Sequence, residues 1–315
     1  LTLPRMLASF HMGTVDGVVV RVLPDSGNPA QMVAQLLDEL AIGAAPQIAL
    51  EDRSWAELLI NVQRLRPQAT FTLASQLLMP LRRIKEEAEI AVMRQAGAIT
   101  EAAYQATVAQ LRHGMTNLDL ISEVQYQLKK HGAQSDSFVT SFYNMGPNYP
   151  FAFHNREEML LVPLEPPVAI SFDMGGVHEG YCYDYGRSVY FGEPDAEYRR
   201  VYALVMGAQA AGIAALQAGR RCEEADAAAR QVIVDGGYGD AFLHRLGHAI
   251  GMDVHETPFL TAGDETVLEP GMCFTVEPSI FLPHKLGCRV EDVVVVRADG
   301  GEPLTHGFQE LQVVG

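Results

Sequence analysis

The sequence contains no run of eighteen apolar residues, so no transmembrane helix is predicted. No block of five or more basic residues interrupts it, and 39 Asp and Glu outweigh 23 Lys and Arg for a formal net charge of −16. An acidic surface argues against nucleic acid and anionic membrane as main partners. Cysteine is scarce: Cys182, Cys222, Cys273 and Cys288 are scattered without a Cys-x-x-Cys pair. That pattern speaks against a disulfide framework or zinc knuckle and for free thiols in a reducing compartment, the cytoplasm. The N-terminal residues lack the charged, apolar and small-residue regions of a signal peptide. The chain starts at Leu1 without a methionine, which leads to the expectation of a missing leading segment.

Apolar material is plentiful, at 48% of 315 residues, enough for one large domain or a large and a small one. Residues 1–80 read as a small α/β N-terminal domain. Residues 18–22, 48–50 and 71–73 are apolar strand candidates, while 32–40 and 54–65 have helical spacing with Trp55 on the second helix. The Met79-Pro80 step is taken as the boundary before a long helix over about 84–112. Residues 81–315 then form the second domain and repeat themselves. Leu111, Gly114 and Gly132 recur 105 positions later as Leu216, Gly219 and Gly237. Each copy has a long helix, a glycine, a second helix (from Thr116 with Asp119 as its cap, and from about Cys222) and then strand-rich sequence. The shared order of elements argues for an internal duplication.

The strand-rich parts carry acids. Residues 168–174 form a buried-strand pattern holding Asp173, and 181–191 a second strand holding Asp184. A turn centred between His178 and Glu179 sets the two aspartates directly opposite, with Cβ atoms roughly 4.5–5.5 Å apart. A second hairpin, 272–281 against 289–296, brings Glu277 within a residue or two of Glu291, with room for a bulge at the intervening turn. A single acid in a strand is usually a solvated surface position. Opposed acids inside apolar runs are different, because four buried carboxylates raise one another's pKa values unless cations lie among them. Two divalent cations supply the missing charge. His248 and His255 stand between the hairpins in a glycine-rich stretch that lets the backbone approach a crowded centre. Spacing alone does not decide between them as ligands. Cys182 shares strand parity with Asp184, but a packed thiol is the simpler expectation.

Five separated motifs give these residues a family likeness: Phe-Asp173-Met-Gly, Tyr-Asp184-Tyr-Gly-Arg, Gly-His248-Ala-Ile-Gly, Val-Glu277-Pro and Arg289-Val-Glu291-Asp. In this order and spacing, from about residue 81 to the C-terminus, the chain resembles the pita-bread metallopeptidases (creatinase, prolidase, aminopeptidase P and methionine aminopeptidase), and most closely the Xaa-Pro dipeptidase (prolidase) branch. The resemblance implies an α/β (α+β) fold, a duplicated pita-bread catalytic domain behind a small creatinase-like N-terminal domain, shorter here than usual, and a homodimer. It implies two divalent metals held by Asp173, Asp184, His248, Glu277 and Glu291, with Asp184 and Glu291 bridging. It makes Glu277 the proton shuttle and sets His154 and His255, as catalytic and substrate-binding histidines, beside the scissile peptide. Arg289 would steady the carboxylates or contact substrate. Gly186 departs from the family, which often carries a hydroxyl residue there, and puts a supporting hydrogen bond to the metal site in doubt.

The implied reaction is metal-assisted hydrolysis of small peptides with proline in second position, whose tertiary amide has no N–H. Four carboxylates and one imidazole favour Mn²⁺ or Co²⁺, with Zn²⁺ admissible and copper disfavoured. Aminopeptidase P activity on longer peptides is the principal alternative. Methionine aminopeptidase is disfavoured by the N-terminal domain. Creatinase-type chemistry and a non-catalytic binding module are disfavoured because all five acid and histidine positions are kept. A dipeptidase must also anchor a free α-carboxylate, for which Arg289, Arg5 and Arg21 are candidates.

Overall fold

The computed structural model describes residues 2–4, 21–146, 149, 156–307 and 309–315. The chain divides into two compact units, Leu1–Pro80 and Leu81–Gly315. In the first, β1 (Thr2–Pro4) runs parallel to β2 (Arg21–Leu23), and β3 (Gln47–Leu50) parallel to β4 (Thr70–Leu73). Part of the strand expected over 18–22 lies outside the described residues, as does Arg5. Helix α1 (Pro29–Glu39) starts earlier than its apolar periodicity suggests. Pro29 fits the first turn, and the Asn28 side chain accepts the Ala30 N–H at 2.9 Å. Helix α2 (Ala56–Leu65) has Trp55 as its N-terminal flanking residue and not on the helix; the indole is 85% exposed. Helix α3 (Ser75–Arg82) runs through Pro80. The Met79-Pro80 step is thus not a helix break, since a proline near the end of so short a helix removes only one backbone donor.

The second unit bears out the duplication. Its first half contains α4 (Glu87–Val108), α5 (Asn117–His131), β5 (Ser135–Asp136), β6 (Ser141–Met145), α6 (Arg156–Leu160) and β7 (Val168–Met174), followed by β8 (Gly176–His178), β9 (Tyr181–Cys182) and β10 (Tyr185–Phe191). The second half contains α7 (Ala196–Ala215), α8 (Cys222–Asp235), β11 (Gly247–Ala249), β12 (Glu256–Leu260), β13 (Cys273–Val276), β14 (Ser279–Leu282), β15 (Leu286–Arg289), β16 (Asp292–Val296) and β17 (Gly301–Pro303). A last strand, β18 (Gln312–Val314), returns to pair with β10. The larger sheets have the orders β18-β10-β7-β6 and β12-β11-β13-β16-β17.

Each long helix buries one face at helical spacing. Ile90, Met93, Ala96, Gly97, Thr100, Ala103 and Tyr104 do so in α4, and Tyr198, Val201, Tyr202, Val205, Ala208 and Gln209 in α7. Two apolar cores result, one mainly of first-half residues joined by Ile250, Cys273, Val293 and Val295, the other mainly of second-half residues joined by Ala169 and Tyr190. The glycines singled out by the repeat all need left-handed backbone: φ is +82° at Gly114 and +89° at Gly219, +109° at Gly132 and +86° at Gly237. The second helices are capped alike. Asp119 accepts the Thr116 N–H at 2.8 Å, and Glu224 accepts the Arg221 N–H at 2.6 Å.

The halves meet through the isolated antiparallel bridge Gly186–Glu291 and the bidentate ion pair of Arg187 with Asp292 at 2.7–2.9 Å. Both pairs join positions 105 apart, so the same site of each repeat faces its counterpart.

The first hairpin corrects the expected register. Asp173 lies opposite Gly186, not Asp184. The turn is centred one residue later than expected because Glu179 (φ +45°) and Gly180 (φ +82°) both take left-handed backbone, the geometry of a tight two-residue hairpin. In the second hairpin the ladder Val276–Asp292 and the ladder Ser279–Arg289 share one register without a bulge. One step beyond Val276–Asp292, that register sets Glu277 against Glu291.

Candidate metal centre

Strand ends deliver the acids. Asp173 is the penultimate residue of β7, and Asp184 sits in the break between β9 and β10. His248 is central in β11, Glu277 follows β13, and Glu291 precedes β16. All five line one cavity of about 660 Å³, together with Tyr143, His244, Arg245, His255, Phe259 and Arg289 among others. Asp184, His248, Glu277 and Glu291 are buried, and Asp173 is partly so. Ligand atoms of Asp184, His248 and Glu291 all lie within 4.8 Å of one another.

The electrostatics favour a cation. Burial pushes the carboxyls of Asp184 and Glu291 well above the usual carboxylate range, with the Asp173 charge adding to the first and the Asp184 charge to the second. Burial raises Glu277 as well, against the opposing pull of Arg289. Arg289 Nη1 donates to Asp173 Oδ2 at 2.9 Å, and Nη2 lies 3.6 Å from Glu277 Oε2. One guanidinium offsets only one of four carboxylates. Burial also lowers the pKa of His248 and keeps the ring neutral.

The donor set fits divalent metal on geometry too. His248 Nδ1 donates to the Ala249 carbonyl at 3.1 Å, which leaves the Nε2 lone pair facing the centre. Nε2 lies 3.6 Å from Asp184 Oδ2 and 3.5 Å from Glu277 Oε1. Three acceptor atoms so arranged repel one another unless a cation sits among them. Asp184 Oδ1 and Glu291 Oε2 are buried without a hydrogen-bond partner. Orphaned carboxylate oxygens of this kind are costly as hydrogen-bond acceptors and suited to be metal ligands.

Supporting groups fix the ligands. The Thr275 hydroxyl accepts the His248 backbone N–H at 3.0 Å and donates to Glu277 Oε1 at 3.2 Å. The Ser141 and Tyr143 hydroxyls reach Asp173 Oδ2 at 3.4 and 3.3 Å. A β-carbon at Gly186 would lie 2.9 Å from both Cβ and Oε2 of Glu291. The absent hydroxyl at that position therefore corresponds to space that the Glu291 side chain uses.

The remaining candidates divide. His255 lines the cavity with its ring centroid 4.3 Å from that of His248. His154 lies outside the described residues. Arg21 is exposed and paired with Glu39. Cys182 is a packed thiol: its Sγ lies 3.5 Å from the Met252 carbonyl, and burial pushes its pKa up to about 11. All four cysteines are free and buried.

Sequence reasoning missed His244 and Thr275. His244 Nδ1 donates to the Arg245 carbonyl at 2.7 Å, and Nε2 accepts from the Ser279 hydroxyl at 2.5 Å. Burial, then the nearby Arg289 charge, pushes its pKa down to about 3. The signal was present as a second histidine four residues before His248. Thr275 alternates with Glu277 along one strand, but nothing separates it from an ordinary strand threonine before the pairing is known.

Comparison with known proteins gives the family. The profile of metallopeptidase family M24 matches residues 91–298. A Xaa-Pro dipeptidase of Lactobacillus delbrueckii subsp. lactis is 39% identical over 241 residues, 76% of this chain and 64% of its own length. The chain thus spans slightly less than two thirds of that relative. The solved structure of a dipeptidase from Pyrococcus horikoshii OT3 superposes with a TM-score of 0.89 at 30% identity, covering 99% of this chain and 85% of the other. An X-Pro aminopeptidase from Thermotoga maritima MSB8 superposes with a TM-score of 0.85 at 31% identity, covering 99% and 87%. The likeness thus extends to a dipeptidase and to an X-Pro aminopeptidase.

Proposed function

The chain belongs to metallopeptidase family M24, and from that premise we propose that it is a two-metal-dependent Xaa-Pro dipeptidase. The convergence of four carboxylates and one neutral imidazole in a single cavity, with two buried carboxylate oxygens unpartnered, carries this reading. Asp173, Asp184, His248, Glu277 and Glu291 would hold the ions. An oxygen-rich set without thiolate suits Mn²⁺ or Co²⁺, with Zn²⁺ admissible. When bound, the ions supply Lewis acidity that polarises a peptide carbonyl and makes water nucleophilic near neutral pH.

The chain's own groups do the rest. Glu277, a carboxylate whose proton affinity burial raises, takes and returns a proton at its carboxylate oxygens while Thr275 and Arg289 hold it in place. Arg289 acts as the brace between Asp173 and Glu277. His255, on the cavity wall, offers a hydrogen bond to the substrate carbonyl, and His154 has the role that family likeness suggests, beside the leaving nitrogen. The four buried thiols are consistent with a reducing compartment, the cytoplasm, and a homodimer belongs to the same proposal.

The second reading is an Xaa-Pro aminopeptidase, which the likeness to the Thermotoga enzyme favours. A panel of Xaa-Pro dipeptides against Xaa-Pro-Yaa-Yaa peptides, with metal-stripped and Mn²⁺-restored protein, separates the two. Restored turnover of dipeptides only is expected. Turnover confined to the longer peptides overturns the dipeptidase assignment, and absence of Xaa-Pro hydrolysis from both overturns the function.

A further inference from the structure

We infer that Arg245 receives the free C-terminal α-carboxylate of the dipeptide and thereby sets substrate length. This rests on the Xaa-Pro reading above and names the group that separates its two forms. In a dipeptide the terminal carboxylate belongs to the residue immediately after the scissile bond, and consecutive Cα atoms are about 3.8 Å apart. Its partner must therefore stand in the wall of the metal cavity itself.

Among the described residues two arginines line that wall, Arg245 and Arg289. Arg289 is committed: one guanidinium nitrogen donates to Asp173 at 2.9 Å, and the other lies 3.6 Å from Glu277 and 3.4 Å from His244 Nε2. Arg245 is not. Among the described residues no carboxylate lies within ion-pair distance of it, and its Nε is buried without a hydrogen-bond partner. Its guanidinium instead lies over the Phe259 ring, 4.4 Å from the centroid. Phe259 is the direct cross-strand partner of His248 in the β11–β12 ladder, so this aromatic platform stands beside a metal ligand. A guanidinium held over an aromatic ring by cation–π attraction keeps its N–H groups for a carboxylate, which a guanidinium can grip with two parallel hydrogen bonds. The stacking also restricts the side chain before substrate arrives, which lessens the ordering cost of binding.

The test compares Arg245→Met and Arg245→Lys with the wild type on Ala-Pro, Ala-Pro-amide, Ala-Pro-Ala-Ala and Asp-Pro, all Mn²⁺-loaded. Arg245→Met is expected to lose roughly 50-fold in kcat/KM on Ala-Pro, mainly through KM, as befits a lost charged hydrogen bond. Its rate on the amide should change less than about threefold, and Arg245→Lys should recover part of the dipeptide loss. Equal losses on Ala-Pro and its amide overturn the assignment, as does a wild type that cleaves both equally well. A loss confined to Asp-Pro also overturns it, in favour of a side-chain carboxylate subsite. A wild type inert towards every substrate contradicts the Xaa-Pro reading instead. Melting curves identify a variant that has merely unfolded, and Arg245→Lys then carries the comparison, where a dipeptide loss no larger than the amide loss overturns the assignment.

Discussion

Gly247 lies against the backbone of Thr275 so closely that a β-carbon on the glycine would stand 1.9 Å from the Thr275 carbonyl oxygen. The contact joins β11, which carries His248, to β13, which leads into Glu277. It also lets the Thr275 hydroxyl accept the His248 N–H and orient Glu277 together. Gly247→Ala has no way to keep this spacing, because the obstacle is backbone. The variant should lose about 1–3 kcal/mol of stability from overpacking and bind metal more weakly as His248 moves from Glu277. Unchanged melting and unchanged Mn²⁺ stoichiometry by calorimetry would contradict this account.

Glu277 tests the proton-transfer role. Glu277→Gln preserves shape and one ligand oxygen but cannot exchange a proton, so the variant should fold, bind metal and hydrolyse Ala-Pro at least about 100-fold more slowly, the usual scale for losing a general base. Near-normal turnover by that variant would end the proton-shuttle assignment.

Metal removal should destabilise the protein. Without cations, Asp184, Glu277 and Glu291 face one another in a buried site, with Arg289 the guanidinium that pairs directly with the cluster among the described residues. Chelation followed by Mn²⁺ at a hundredfold excess over its dissociation constant should restore about 2.7 kcal/mol, seen as a rise in Tm. A chelated protein that melts at the same temperature as the loaded one would show that the cluster does not need the ions.

Much of this site was legible in the sequence, and the part that was not has a physical cause. Acids inside apolar runs point to one cluster because burial of charge is constrained by solvation alone, whatever the register, and the structure brings them into one cavity. The pairing of Asp173 with Asp184 failed because two successive left-handed residues, Glu179 and Gly180, move the turn by one position. Glycine allows that geometry, but glutamate at φ +45° is set by the hairpin around it. The duplication was visible as glycines at matching positions because left-handed backbone, at the helix ends near Gly132 and Gly237 and in the turns at Gly114 and Gly219, strongly favours glycine. Arg245 and Thr275 stayed hidden, since their importance depends on which strand lies opposite.

His244 gives the protein a predictable acid sensitivity. Its pKa is pushed down to about 3 in the folded state, while an unfolded histidine titrates near 6.5. As pH falls below about 6.5 the unfolded chain gains a proton that the folded chain refuses, so stability is lost progressively down to about pH 3. His244→Gln removes this term. Its Tm should fall less steeply than that of the wild type between about pH 6.5 and 4. Parallel Tm-against-pH curves would show that His244 carries no such penalty.

The Arg187–Asp292 pair makes the last prediction. Arg187 is 1% exposed and donates to both Asp292 oxygens and to the carbonyls of Gly186 and Glu291, so it ties the two repeats together directly behind a candidate metal ligand. Asp292 also accepts from Gln209 at 3.0 Å. Arg187→Met strands a buried carboxylate and should cost about 3–5 kcal/mol, whereas removing both charges in Arg187→Met/Asp292→Leu should cost less than the sum of the single changes. If the pair positions Glu291 as well as stabilising the fold, the double variant should regain stability while still binding Mn²⁺ more weakly than wild type, because the carbonyl of Glu291 has lost its donor. Denaturant unfolding of all four proteins gives the coupling, and calorimetry the metal affinity. Strict additivity of the two substitutions would mean that the charges do not interact as the geometry requires.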